Sequence, residues 1–90
     1  MQIKRIDYSD TFKKDLKKSS SKIKIAFRER LRMFSENKYN PKLNNHKLIG
    51  KFKGYRSINL SGDWRAIFRE LNDGQVIYFD MIGTHSRLYR

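Results

Sequence analysis

The sequence predicts an α+β fold in which an N-terminal strand is followed by two helices packed on one face of a small, mainly antiparallel sheet. Apolar residues recur at helical spacing before Pro41, the only proline, and at a period of two after Gly54. Asn72-Asp73-Gly74 between two apolar runs marks a hairpin, because these residues tolerate positive φ.

Residues 2–8 alternate, with Ile3 and Arg5 to one side and Lys4, Ile6 and Tyr8 to the other, which suits a short strand. Ser9 or Asp10 then caps a helix running through Lys18, whose buried face carries Phe12 and Leu16. The hydroxyls of Ser19-Ser20-Ser21 compete for nearby backbone groups, so the helix breaks there and restarts. Ile23, Phe27, Leu31 and Phe34 form the core stripe of the second helix, and Lys22, Lys24, Arg28, Arg30 and Arg32 clothe the rest.

Asn37 to Asn45, interrupted by Pro41, predicts an irregular connection. A three-stranded meander follows: Tyr55 to Leu60, a turn at Ser61-Gly62-Asp63, Trp64 to Leu71, then Val76 to Ile82. The last strand is the most apolar and is expected at the sheet centre, with the sheet face away from the helices open to solvent.

The length of 90 residues suits one domain over residues 1–90, with a compact core and no room for a deep cofactor cavity. Six Phe, five Tyr and one Trp are too many large apolar groups for a disordered basic tail. The chain has no Cys, which removes disulfides, thiol nucleophiles and zinc-thiolate sites. Neither a signal-peptide pattern nor a run of roughly 18 apolar residues is present, so a soluble, cytoplasmic protein away from membranes is expected.

Against 9 Asp and Glu stand 21 Lys and Arg, and the formal net charge of +12 draws polyanions, of which nucleic acid is the commonest inside cells. His46 and His85 are the side chains whose ordinary pKa suits proton transfer near neutrality. Asp63 is the main carboxylate candidate, with Asp80 inside the last strand, and no pair has metal-ligand spacing. No metal and no cofactor is therefore expected, and the P-loop, dinucleotide and nucleophile-elbow patterns are all missing.

What remains is imidazole, arginine on adjacent strands at Arg56 and Arg65, and Tyr55, Trp64, Tyr78 and Tyr89 as stacking rings, with Trp64 better read as core. This set suits RNA, whose 2′-hydroxyl attacks its own phosphate once a base takes its proton and cations stabilise the developing charge. DNA lacks that internal nucleophile.

Three motifs in order, His46-x-Leu48-x-Gly50-x-x-x-Gly54-Tyr55-Arg56-Ser57, Asp63-Trp64-Arg65-x-x-Phe68 and Ile82-Gly83-Thr84-His85-Ser86-x-Leu88-Tyr89, resemble the RelE/ParE toxin superfamily. Within it the sequence is most similar to YafQ-type toxins, with some similarity to YoeB. The resemblance implies a microbial-ribonuclease-like fold and the toxin of a type II toxin-antitoxin system. Such a toxin is a metal-independent endoribonuclease, an mRNA interferase, cleaving mRNA typically on the ribosome. A cognate antitoxin, expected to offer an acidic and partly disordered segment, would hold it inactive.

The same resemblance assigns roles. His85 matches the terminal catalytic His, Asp63 the turn carboxylate, His46 the upstream His and Tyr89 the closing aromatic. Arg65 matches a phosphate-stabilising Arg, and Arg56 falls where RelE toxins place a catalytic Lys. Lys47 and Arg87 join Arg56 and Tyr89 as residues expected to hold RNA and its phosphates. YafQ-type toxins carry a further His where this chain has Asn59, which cannot exchange a proton near neutrality. The expected arrangement makes His85 the general acid and leaves either His46 or Asp63 as base or orienting group. Two other readings are a ParE-like gyrase inhibitor and a non-catalytic basic RNA-binding module.

Overall fold

The computed structural model describes residues 3–89. Strand β1, Arg5–Tyr8, leads into helix α1, Asp10–Lys18, and helix α2, Ser21–Glu36. The strand expected from Gln2 starts at Arg5, and Gln2 itself lies outside the described residues. Ser9 is the first cap: its Oγ accepts from the Phe12 amide at 2.9 Å and donates to the Asp80 carbonyl at 2.7 Å, tying α1 to the sheet. Ser20 caps α2 in the same manner, accepting from the Ile23 amide. The triple serine thus separates two helices, as its chemistry predicts.

Strands β2, His46–Lys47, β3, Arg56–Asn59, β4, Trp64–Leu71, and β5, Val76–Thr84, complete a five-stranded sheet of order β1-β5-β4-β3-β2. β1 runs parallel to β5 and every other pair is antiparallel. The most apolar strand, β5, is interior, but the middle position belongs to β4, because β2 adds a strand outside β3. A register shift between Ile67 and Phe68 leaves Asp80 as an extra residue on β5, so Phe79 and Ile82 both reach the core.

That core lies between the helices and one sheet face. Phe12, Ile23, Phe27 and Phe34 from the helices meet Ile58, Ala66, Phe68, Ile77, Phe79 and Ile82 from the strands. Phe79 is its hub, with the rings of Tyr8, Phe12, Phe27, Phe34 and Phe68 at centroid distances of 5.4 to 6.0 Å. Leu31 is only partly buried, and Trp64 packs on the core's edge. Leu43, within a 3₁₀ turn at Pro41–Leu43, is fully buried, which the irregular spacing of that connection concealed.

The second sheet face is not open throughout. A last helix, α3, His85–Leu88, folds back over it: a Cβ placed on Gly83 would meet Leu88 Cδ2 at 3.3 Å. Ser57 and Ile67, paired across β3 and β4 on this face, are fully buried. Among the described residues no helix is long and apolar enough to cross a membrane.

Candidate active site

The second face holds the candidate site, and strand register builds it. Directly paired residues share a face, so His46 of β2 lies in one row with Ser57 and Ile67, while Arg65 lies in the next row with Asn59 and Gly83. Gly83 puts no side chain into the row opposite Arg65, and α3 closes over that gap.

Three short contacts bring His85 to the same place. Its amide donates to the Asp63 carbonyl at 2.8 Å, its helix is capped by Thr84 Oγ1 accepting from the Arg87 amide, and its ring lies 4.6 Å from that of Tyr89. Tyr89 in turn meets Phe52 edge to face at 5.5 Å, joining α3 to the segment between β2 and β3.

The result is a solvent-open pocket of about 500 Å³ lined by His46, Lys47, Ser57, Arg65, His85 and Tyr89, together with Asn44, Leu48 and Ile49. Four residues singled out for chemistry or stacking, His46, Arg65, His85 and Tyr89, therefore converge from β2, β4 and the C-terminal turn, with Lys47 beside them. Among the described residues lining it there is no carboxylate, so Lys47 and Arg65 leave it electropositive.

Each polar group is held in a particular way. His46 Nδ1 lies 2.7 Å from the Asn44 carbonyl oxygen. Arg65 Nη1 donates to the Gly62 and Trp64 carbonyls at 3.0 and 3.1 Å, which fixes the guanidinium over the β3–β4 turn. Ser57 Oγ is buried with no hydrogen-bond partner, and so is Asn59 Oδ1 one row away.

The remaining expected residues lie elsewhere. Asp63 and Arg87 line a separate concavity between the β3–β4 turn and the α1–α2 break, shared with Lys18, Lys22 and Trp64. The Asp63 backbone carbonyl, which accepts from the His85 amide, ties this turn to the candidate site. Arg56 points its Nε to Asn45 Oδ1 at 2.7 Å and its guanidinium over the Tyr39 ring, and it lines an adjoining groove with Lys53, Tyr55 and Glu70. Lys47, Leu48 and Ile49 belong to both groove and pocket. Sequence reasoning passed over Asn44 and named Ser57 in a motif without a role; the Asn44-Asn45 pair just before His46 was the available signal for a turn there. Among the described residues no three His, Cys, Asp or Glu side chains gather as a metal-holding group.

The geometry has relatives. The profile of a family described as bacterial toxin of type II toxin-antitoxin system, YafQ, matches residues 4–90. The structure of YafQ from E. coli strain BL21(DE3) is similar at TM-score 0.72 and 25% identity, covering 94% of this chain and 97% of that one. YafQ in the E. coli DinJ-YafQ toxin-antitoxin complex is similar at TM-score 0.77 and 26% identity, covering 98% and 100%. A YoeB/ParE toxin from Agrobacterium tumefaciens shares the fold at TM-score 0.76 and 14% identity, covering 90% and 98%. A comparison with curated protein sequences gave no match.

Proposed function

Because the chain belongs to the YafQ family of bacterial type II toxin-antitoxin toxins, we propose that it is an endoribonuclease that cuts mRNA by making the ribose attack its own phosphate. The observation that carries this reading is the convergence of His46, His85 and Arg65 on one open, carboxylate-free pocket. Two imidazoles suit a reaction that needs one proton removed and another supplied at similar pH.

In this reading His46 is the base, since Asp63, the other candidate, lines a different concavity. His46 takes the proton of the 2′-hydroxyl as its oxygen attacks phosphorus. The bond from phosphorus to the 5′-oxygen breaks, and His85 gives its proton to that leaving oxygen. The products are a 2′,3′-cyclic phosphate and a 5′-hydroxyl end.

Charge on the phosphoryl oxygens rises during attack, and the Arg65 fork, anchored at Nη1 on two carbonyls, presents its other donors without having to reorganise. Lys47 adds a second positive charge, and Tyr89, braced on Phe52, offers a ring to a flanking base. The resemblance to YafQ-type toxins supports the ribosome as the larger body that presents the strand.

Partner binding follows from the same chemistry. A net charge of +12 favours an acidic antitoxin segment that is disordered alone and orders on this surface. In the DinJ-YafQ complex the similar E. coli toxin is held by an antitoxin.

Replacement His85→Gln, assayed on translated mRNA with purified ribosomes, tests the reading. Cleavage is expected to fall by at least about 100-fold, the lower end of what a positioned proton donor contributes. Unchanged cleavage, or no cleavage by the wild-type chain, overturns it.

A further inference from the structure

We propose that Asn44 is a positioning residue whose left-handed backbone sets the proton tautomer of His46; the inference rests on the reading of His46 as the base. Asn44 has φ 47° and ψ 48°, a conformation that asparagine tolerates and β-branched residues do not. It closes the 3₁₀ turn by donating its amide to the Pro41 carbonyl at 3.2 Å. The turn is itself held by Asn40 Oδ1, which accepts from the Lys42 amide, and by the fully buried Leu43.

On the other side Asn45 is fixed twice. Its Nδ2 donates to the Lys38 carbonyl at 2.9 Å, and its Oδ1 accepts from Arg56 Nε at 2.7 Å. The Asn44 carbonyl is therefore presented from a braced corner, although the segment runs along the surface.

That carbonyl meets His46 Nδ1 at 2.7 Å. A carbonyl oxygen only accepts, so Nδ1 carries the hydrogen, and the neutral ring keeps its lone pair on Nε2. Taking the proton from the ribose 2′-hydroxyl needs a lone-pair nitrogen on a ring that does not spin. Asn44 supplies both conditions while its own side chain does no chemistry, and Arg56 steadies the corner through its Nε.

The test is the ¹⁵N spectrum of the His46 ring in the full-length toxin, at a pH where that ring is neutral. The wild-type chain and Asn44→Gly, which keeps the left-handed backbone and the carbonyl, are expected in the Nδ1–H form. Asn44→Val, which disfavours that backbone, is expected to shift population to Nε2–H and to lose about tenfold in ribosomal cleavage, less than the roughly 100-fold that misplacing a reacting group can cost. Asn44→Gly is expected to keep cleavage near wild type.

A wild-type ring in the Nε2–H form overturns the proposal whatever the variants do, so it does not depend on Asn44→Val folding. Lost cleavage in Asn44→Val with the tautomer unchanged also overturns it. If the Nδ1–H form is found but His46→Gln cleaves normally, the base assignment falls and the catalytic half of this inference falls with it, while cleavage by the family chemistry stands.

Discussion

Arg65 is the residue at which charge and shape separate. Its Nη1 is spent on the Gly62 and Trp64 carbonyls, so the guanidinium approaches the pocket as an oriented fork. Arg65→Lys keeps the charge and loses the fork, and it is expected to cut the cleavage rate by roughly 100-fold, the scale of one lost transition-state donor. Cleavage by Arg65→Lys at the wild-type rate in a single-turnover assay would contradict the fork.

Away from the site, burial of Tyr8 beside Phe12 and Phe79 pushes its phenol above the usual value of 10.0. The native state then holds this proton more tightly than the unfolded chain does. The associated stability is complete below about pH 10 and is lost as pH climbs through the raised native value. Tyr8→Phe is expected to flatten that alkaline loss in denaturant titrations, and an unchanged alkaline slope would refute the assignment.

Single residues were legible where a motif named them together. His46, Arg65, His85 and Tyr89 stand in ordered motifs and meet in one pocket. Asp63 stands in the same motifs and Arg87 at an unspecified position within one, and both line another concavity, because a residue in a turn or in a four-residue helix can point to either side of the strand end that carries it.

Elements were legible in proportion to their length. α1, α2, β4 and β5 are long enough to show a period, and their serine caps and hairpin turn were readable as chemistry. β2, with two residues, and α3, with four, carry no period, yet they deliver His46 and His85. The 3₁₀ turn escaped for the same reason.

Gly83 tests what α3 contributes. Gly83→Ala would place a Cβ 3.3 Å from Leu88 Cδ2 and 3.4 Å from Cγ, so α3 must yield by a few tenths of an ångström, carrying His85 and Tyr89 with it. Cleavage is expected to drop while thermal stability changes by about 1–3 kcal/mol at most, the usual cost of overpacking. Ser20→Ala makes the reverse case: loss of the α2 cap costs about 1 kcal/mol in a melt and leaves specific cleavage unchanged.

At the scale of the whole molecule, one sheet divides two tasks. The helix-covered face supplies stability through the aromatic hub at Phe79, and Phe79→Ala is expected to cost about 3–5 kcal/mol, much of the stability of a small domain. The other face carries cations and imidazoles under little cover. Its affinity for single-stranded RNA is expected to fall with salt, and Lys47→Ala to lower the slope of log K against log salt by about 0.7, one phosphate contact. An unchanged slope would place Lys47 off the strand.

The central claim is that the RNA supplies its own nucleophile, and replacing one 2′-hydroxyl by hydrogen at the mapped cut site addresses it without touching the protein. The account predicts that cleavage at that nucleotide stops, and that the unmodified transcript ends in a 2′,3′-cyclic phosphate facing a 5′-hydroxyl. Cutting that continues at the deoxy position, or fragments that begin with a 5′-phosphate, would contradict it.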